Sequence, residues 1–206
     1  MKGNRTKMLR NRVAQEAALL LYTSQEKEYK QAKLRASATL GVRVLPSNLE
    51  VAEELDIIAD EREGPQRNKH VLQMRKEAKQ IMEIISEFSP VLVGSVWRGT
   101  ARKNSDIDIC VFSEDYQQVL EHLQSQRYSI TGTERRSVTK AGNKASSVHI
   151  EIILDSGDVV EIVVRSPEEL GKIERCETYG DMKTGLNLKE LTKVLENNPF
   201  QKFVPP

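Results

Sequence analysis

The chain has 206 residues, of which 38% are hydrophobic and 30% are charged, and its formal net charge at pH 7 is +1. This composition allows one moderate hydrophobic core with a smaller helical unit, and the near-neutral charge excludes a global electrostatic attraction to nucleic acid. No apolar run approaches the roughly 18–20 residues of a membrane span, and the first residues lack the apolar stretch of a secretory signal, so we expect a cytoplasmic protein.

The N-terminal part is predicted to be helical and basic. Neither Pro nor Gly occurs from Lys7 to Leu40, and the segment Thr23-Ser24-Gln25-Glu26 matches a capping box, which predicts two consecutive helices that end at Gly41. Up to Leu40 the chain has nine Lys and Arg residues and three Glu residues. Such clustering can mark a surface that faces nucleic acid, although a solvated helical face explains it as well.

Two further helices are predicted before the first strand. The segment Pro46-Ser47-Asn48-Leu49-Glu50 opens an acidic helix with a second capping box, which Gly64-Pro65 closes. From Asn68 to Ser89-Pro90, apolar residues recur at alternating three- and four-residue spacing, which describes one stripe on a helix. The repeat is too short for a coiled coil, so we expect the stripe to pack against a sheet. Its members are Val71, Met74, Ala78, Ile81, Ile85 and Phe88.

A turn with phosphate-binding features follows this helix. Val91-Leu92-Val93 is typical of a short buried strand, and it breaks at Gly94-Ser95. Glycine permits close backbone approach there, and a helix that begins at this point would aim its N–H groups outward. A triphosphate would fit this turn, since Ser95 can donate a hydroxyl hydrogen bond and Arg98 and Lys103 can supply positive charge.

Asp106 and Asp108 form a paired carboxylate at the start of the next predicted strand. Because Ile107, Ile109 and Val111 alternate with them, a strand that begins near Ser105 places both carboxylates on one face, with their Cα atoms about 7 Å apart. Carboxylates at this spacing can share two Mg²⁺ ions, which sit roughly 3.5–4 Å apart and stabilise the attacking and leaving oxygens of a displacement at phosphorus. Solubilising charge at a sheet end explains Asp-x-Asp alone, but the turn and the pair together indicate metal-assisted nucleotidyl transfer.

The elements after Phe112 are predicted to complete a mixed sheet in an α+β domain. Ser113 can cap a helix, and the polar, basic stretch from Thr131 to Lys144 is interpreted as a hairpin or mobile loop that could hold a nucleotide or an acceptor. Its turn signals are Gly132 and Ala141-Gly142-Asn143. Two strands from Val148 to Val164 follow, joined at Asp155-Ser156-Gly157-Asp158. The tail offers a helix after Pro167, with Leu170 and Ile173, and another from about Asn187 to Leu195.

The motif Gly94-Ser95-Val96-Trp97-Arg98-Gly99-Thr100, followed by Ser105-Asp106-Ile107-Asp108, resembles the signature of the DNA polymerase β-like nucleotidyltransferase superfamily. Its Arg-Gly-Thr variant is similar to archaeal CCA-adding enzymes and to small archaeal nucleotidyltransferases. The resemblance covers roughly residues 68–165 and implies a palm-like core, a nucleoside triphosphate substrate and two Mg²⁺ ions. The nucleotide-binding residues predicted with it are Gly94, Ser95, Arg98, Thr100, Lys103 and Ser105.

That family uses a third carboxylate on a later strand, and Glu161 is the candidate here, although the family most often has Asp at this position. The apolar residues on both sides of Glu161 predict a strand buried on both faces, where an unpaired carboxylate would be costly and metal ions would supply the opposite charge. Glu151 is the competing candidate. It lies on the preceding predicted strand, on the side of His149 and Ile153.

We therefore predict an N-terminal helical region (residues 1–66), a nucleotidyltransferase core (67–166) and a helical extension that packs on the core (167–206). The predicted reaction moves a nucleoside monophosphate from a triphosphate to an acceptor hydroxyl of RNA or protein and releases pyrophosphate. Two alternatives remain: a minimal antitoxin-like nucleotidyltransferase that modifies a protein partner, and a non-catalytic module that binds nucleotide or RNA. The length of the chain argues against a complete CCA-adding enzyme, whose family carries further RNA-binding domains.

Overall fold

The computed structural model describes residues 2–140 and 143–205. The chain divides into two compact units. The first contains the N-terminal helices up to Arg67 together with Arg175–Met182, and the second contains Asn68–Glu174 and Lys183–Val204. Each unit has its own hydrophobic core.

The first unit is built from α1 (Lys2–Tyr22), α2 (Tyr29–Thr39) and α3 (Asn48–Glu63). Helix α1 packs against both other helices, and alanines in its buried face and in that of α2 allow their backbones to approach closely. Arg10 of α1 and Glu50 of α3 form an ion pair of 2.7 Å. The basic and acidic helices therefore pair in part with each other.

Of the two predicted capping boxes, only the second is confirmed. Ser47 and Glu50 form it at the start of α3, and Gly64 follows the end of that helix. The box at Thr23-Ser24-Gln25-Glu26 is wrong, because the Thr23 hydroxyl donates back to the Leu19 carbonyl at 2.8 Å. Helix α2 begins later, after Glu28, which makes no side-chain cap hydrogen bond.

The second unit is a mixed sheet with helices, which confirms the predicted α+β class. Strand order is β3-β4-β5-β2-β1-β6. Strands β2 and β5 are parallel, and the other neighbours are antiparallel. The strands are β1 (Val91–Val93), β2 (Ile107–Phe112), β3 (Ile130–Lys140), β4 (Asn143–Ile153), β5 (Val159–Arg165) and β6 (Leu186–Asn187), and the helices are α4 (Pro65–Ile84), α5 (Gly94–Arg98), α6 (Tyr116–Ser125) and α7 (Leu188–Asn197).

One face of this sheet carries the core. Every residue of the predicted apolar stripe is buried in the same cluster as the inward residues of β2, β4 and β5, so the predicted packing against the sheet is confirmed. The helix itself ends at Ile84, earlier than predicted, and Ile85 and Phe88 lie beyond its end, with Phe88 in a 3₁₀ turn. The other face is only half covered. Strand β5 alternates between buried and partly exposed residues, which makes the expectation of a strand buried on both faces wrong. Glu161 lies on the partly exposed face.

Two local predictions outside the sheet also need correction. Helix α6 is capped by Asp115, whose carboxylate accepts from the Gln117 N–H at 2.9 Å, and not by Ser113. The helix predicted after Pro167 is a single 3₁₀ turn, Pro167–Glu169, which leaves Leu170 53% exposed. The last predicted helix is confirmed as α7, with a capping box between Asn187 and Glu190.

Strands β3 and β4 form an antiparallel hairpin, so the hairpin interpretation of this basic stretch is confirmed. The predicted turn at Ala141-Gly142 lies outside the described residues. Within the described ranges, 2–140 and 143–205, the helices are all too short or too polar to cross a membrane.

Candidate active site

Three carboxylates lie in one row across neighbouring strands. Asp108 on β2 is the register partner of Glu161 on the parallel strand β5, and Glu161 is the partner of Glu151 on β4. Residues directly opposite each other in a sheet point to the same face. All three acids therefore belong to the partly exposed face, and Glu161 stands between the other two.

Asp106 lies just outside this sheet. Strand β2 begins at Ile107, so the predicted strand start near Ser105 is too early. A turn explains the delay, because Ser105 donates its backbone N–H to the Arg102 carbonyl at 2.8 Å and accepts the Arg102 N–H on its hydroxyl at 3.0 Å. Asp106 is exposed and follows this turn, one residue before the ladder.

Gly94 brings the turn after β1 directly against Asp108. Val93 is the register partner of Asp108, and Gly94 then adopts a positive φ of 70° at the start of α5. A Cβ atom built on Gly94 would lie 2.8 Å from Asp108 Cγ and closer still to Oδ2. Only glycine leaves room for this carboxylate and accepts this backbone conformation without strain.

The environment of Asp108 disfavours its negative charge. Burial raises the pKa of its carboxyl to about 7, and the neighbouring charges of Glu161 and Asp106 contribute to the same rise. A cation bound between these acids would reverse the effect, since carboxylate oxygens are the ligands that Mg²⁺ prefers. The surplus of negative charge at Asp106, Asp108 and Glu161 thus fits a divalent metal ion.

The remaining predicted nucleotide-binding residues lie on α5 and in the following loop. Ser95 is half-buried in the first turn of α5, and its carbonyl accepts the Thr100 N–H at 3.0 Å. Thr100 is also half-buried, whereas Lys103 is exposed in the turn between Arg102 and Ser105. Of these side chains, Ser95 lies immediately beside Gly94.

Arg98 does not fit the predicted phosphate-binding role. Its side chain is buried, with 3% exposure, and its Nη1 donates to the Phe203 carbonyl at 2.7 Å. The guanidinium also lies over the Trp97 ring, 4.4 Å from the centroid. A buried guanidinium bonded in this way ties α5 to the C-terminal segment, so we correct its assignment from ligand binding to packing.

Three residues that the sequence analysis did not assign to the metal site surround Glu161. His149 Nδ1 lies 2.9 Å from Glu161 Oε1, Arg136 Nη1 donates to the same oxygen at 3.2 Å, and the Ser147 hydroxyl lies 3.0 Å from His149 Nε2. The period of two along β4 was the available signal, because it places Ser147 and His149 on the face of Glu151. Among the described residues, no group of three His, Cys, Asp or Glu side chains is gathered closely enough to enclose a metal ion.

A family profile described as a nucleotidyltransferase domain matches residues 71–180, about half of the chain. The chain belongs to this nucleotidyltransferase family. The matched segment includes the turn at Gly94, both aspartates and Glu161. The superfamily resemblance read from the motif is confirmed at this level, and the likeness to archaeal members stays a prediction.

Several solved structures are similar to this nucleotidyltransferase chain. A cytoplasmic RNA terminal U-transferase is 24% identical over 47% of this chain and 29% of its own, with a TM-score of 0.34. Cid1 in complex with its short product ApU is 21% identical over 46% and 31%, with a TM-score of 0.32. The GLD-2/RNP-8 complex is 12% identical over 60% and 44%, with a TM-score of 0.35.

This chain therefore spans less than half of the length of these solved proteins. A search of curated protein sequences finds no match.

Proposed function

We propose that this nucleotidyltransferase moves a nucleoside monophosphate from a nucleoside triphosphate to an acceptor hydroxyl in a Mg²⁺-dependent reaction that releases pyrophosphate. Asp106, Asp108 and Glu161 would hold the metal ions. Gly94, Ser95, Thr100, Lys103 and Ser105 would bind the nucleotide. We also propose that the nucleotidyltransferase core extends from residue 67 to residue 166, between the N-terminal helical region and the C-terminal extension.

The observation that carries this proposal is the register between β2 and β5. It sets Asp108 directly opposite Glu161 on one face of the sheet, and Gly94 lacks the side chain that would collide with the Asp108 carboxylate. Two acids in adjacent strands of a sheet interior repel each other. A cation bound between them would offset this repulsion.

Mg²⁺ in such a site supplies Lewis-acid stabilisation of the charge that develops on the phosphate oxygens. The protein's own groups then have separate tasks. Asp108 and Glu161, both on regular strands, fix the ligand positions, and Asp106 adds a carboxylate from the loop. The Ser95 hydroxyl donates to a phosphate oxygen, and the exposed Lys103 ammonium neutralises part of the triphosphate charge.

The acceptor is proposed to be RNA or a protein hydroxyl. The basic residues of the N-terminal helices support RNA, but Arg10 and Arg35 are already ion-paired with Glu50 and Glu26. These two arginines are therefore less available to a nucleic-acid phosphate than the count of basic residues indicates.

Pyrophosphate release tests the proposal. The full chain is incubated with ATP, CTP, GTP or UTP and Mg²⁺, in the presence of either RNA or extract proteins. We expect release with at least one triphosphate, its loss in Asp106→Asn and Asp108→Asn, and its retention in Glu114→Gln, a change at an exposed acid outside the site. Release that survives either aspartate change contradicts the metal mechanism. Nucleotide binding without any release favours the non-catalytic module, and the labelled product identifies the acceptor class.

A further inference from the structure

Glu161 has a longer and more flexible side chain than an aspartate would have at this position. Its side chain has an extra methylene and an extra rotatable bond, so its carboxylate has more positions to lose when it binds a metal ion. A flexible ligand weakens a metal site unless neighbouring groups restrain it. The environment of Glu161 contains such a restraint.

Both restraining bonds reach the same oxygen. His149 and Arg136 contact Oε1 at 2.9 and 3.2 Å, and Oε2 receives no hydrogen bond from the residues that the structure describes. Glu161 can thus be held through one oxygen while the other remains available to a cation on the side of Asp108.

The two partners of Oε1 are not equivalent. Arg136 is 49% exposed and shares its charge with Glu134 at 2.9 Å, so solvent screens its pull on Glu161. The His149 side chain is only 15% exposed. A bond in this more enclosed position is held more rigidly and is stronger.

A third residue orients the imidazole. His149 Nδ1 faces Glu161 Oε1 at 2.9 Å and Arg136 Nη1 at 3.2 Å. A carboxylate can only accept and a guanidinium can only donate, so the two contacts need different tautomers. We assign the proton of the neutral ring to Nδ1 because the contact with Glu161 is the shorter one, and Nε2 is then an acceptor. The Ser147 hydroxyl lies 3.0 Å from Nε2 and can donate to it. Ser147 and His149 sit two positions apart on β4, which is why both reach the face that carries Glu161.

We propose that His149, oriented by Ser147, is a positioning residue that holds Glu161 through Oε1 and presents Oε2 to the divalent metal ion. This inference rests on the proposed function, since it assumes that Glu161 is a metal ligand. It assigns His149 and Ser147 to the site although neither contacts the substrate. A carboxylate one methylene shorter would fall short of the imidazole by about 1.5 Å, so the device is specific to glutamate at position 161.

Mn²⁺ binding to the full chain, measured by calorimetry without nucleotide, tests the proposal. We expect His149→Ala to weaken Mn²⁺ binding roughly 10- to 100-fold, as is typical when a partner of a metal ligand is removed. His149→Asn should restore most of the affinity, because its amide N–H can replace Nδ1–H. Ser147→Ala should weaken binding less than His149→Ala, and Ser146→Ala, a change at the exposed neighbour, should have no effect.

The same His149→Ala change made in a Glu161→Asp variant shows whether His149 acts through Glu161 or supports the fold in general. In Glu161→Asp, the shorter carboxylate no longer reaches the imidazole, so adding His149→Ala should cause no further loss of Mn²⁺ affinity. Pyrophosphate release should follow the same order, with the loss in kcat rather than in the KM for the triphosphate. Thermal unfolding of each variant shows whether it is folded under the conditions used.

The outcomes distinguish the two proposals. The proposed function itself is contradicted if the wild-type chain does not bind Mn²⁺, or if Asp108→Asn binds Mn²⁺ as tightly as the wild type. If Asp108→Asn loses Mn²⁺ while His149→Ala keeps the wild-type affinity, the positioning role is overturned and the metal site stands. An equal loss on His149→Ala in the wild-type and the Glu161→Asp backgrounds also overturns it, because the effect would then not act through the glutamate.

Discussion

Gly94 and Asp108 are packed so closely that a Cβ atom on Gly94 would lie 2.8 Å from the Asp108 carboxyl carbon. The contact joins the turn after β1 to the carboxylate on β2, and these are the two parts of the motif that indicated nucleotidyl transfer. The φ of 70° at Gly94 is a second reason for glycine at this position, because side chains rarely tolerate such a backbone conformation.

Gly94→Ala should abolish most of the activity. The added methyl group has to displace the Asp108 carboxylate, and the positive φ costs roughly 1–2 kcal/mol for a residue with a side chain. We expect pyrophosphate release to fall at least about 100-fold, which corresponds to about 3 kcal/mol of lost transition-state stabilisation.

Gly157→Ala is the matched control for this change. Gly157 has a φ of 89° in the turn between β4 and β5, and a Cβ atom there meets nothing within 4 Å. It should lower the midpoint of thermal unfolding through backbone strain alone while leaving activity near the wild-type value. Equal loss of activity in both variants would show that backbone strain, and not the contact with Asp108, is responsible.

Asp108→Asn should remove activity and yet stabilise the metal-free protein at pH 8. The pKa of Asp108 is raised from 3.8 to about 7 in the folded state. Between these values the folded chain keeps a proton that the unfolded chain has released, so stability falls as the pH rises from about 4 to 7. The amide carries no charge at any pH, and this part of the pH dependence should disappear. Chemical denaturation at pH 5 and pH 8 measures it, and a variant less stable than wild type at pH 8 would contradict the prediction.

Mg²⁺ should stabilise the wild-type protein more at pH 8 than at pH 5.5. The ion binds the ionised carboxylates, and below a pKa of about 7 it has to compete with a proton on Asp108. A ligand that binds only the folded state raises its stability by an amount that grows with the logarithm of the ligand concentration relative to Kd. The measurement is the shift in the thermal unfolding midpoint that Mg²⁺ causes at each pH. Asp108→Asn should show no Mg²⁺-induced shift at either pH. A pH-independent shift in the wild type would place the ion elsewhere.

Arg75→Met should destabilise the second unit strongly, although the hydrogen bonds of Arg75 to the residues that the structure describes all go to backbone carbonyls and none to a predicted metal ligand. Its buried guanidinium donates to the carbonyls of Val96 and Trp97 on α5 and to those of Pro199 and Gln201. Burial lowers the pKa of Arg75 to about 10, which shows that burying its charge costs free energy. Arg75→Met removes that cost, and this offsets part of the loss from leaving four carbonyls without a donor. We expect a net loss of roughly 2–4 kcal/mol in the free energy of unfolding.

Lys76→Ala, at the exposed neighbour of Arg75, should change stability by less than about 0.5 kcal/mol. Urea denaturation of both variants measures the difference. A loss in Arg75→Met no larger than that in Lys76→Ala would show that the four carbonyls do not depend on the guanidinium.

The sequence predicted those parts of the fold that depend on local periodicity. The stripe residues from Val71 to Ile81 identified the buried face of α4, and the alternation around Asp108 identified the buried side of β2, because the helix and strand repeats are fixed by backbone geometry. It could also place Glu151 and Glu161 on strands. It could not determine that Glu161 lies opposite Asp108, since that register depends on how the parallel strands β2 and β5 are paired across α6 and the hairpin.

The incorrect predictions involve residues whose role is decided by distant parts of the chain. Arg98 has the charge that would suit a phosphate ligand, but its Nη1 donates a hydrogen bond to the Phe203 carbonyl. His149 was seen only as a neighbour of Glu151, and its bond to Glu161 needed the pairing of β4 with β5. The helix expected after Pro167 has acidic residues suited to a first turn, but Leu170 and Ile173 find no core to pack against.

The decisive experiment is a crystal structure of the chain with Mn²⁺ and a triphosphate that cannot be cleaved between its α- and β-phosphates, in which the anomalous signal locates the metal. We expect Mn²⁺ bound by Asp106, Asp108 and Oε2 of Glu161, with an α-phosphate oxygen on the same ion and the phosphates against Gly94 and Ser95. Mn²⁺ that contacts the nucleotide but neither Asp108 nor Glu161 would contradict it.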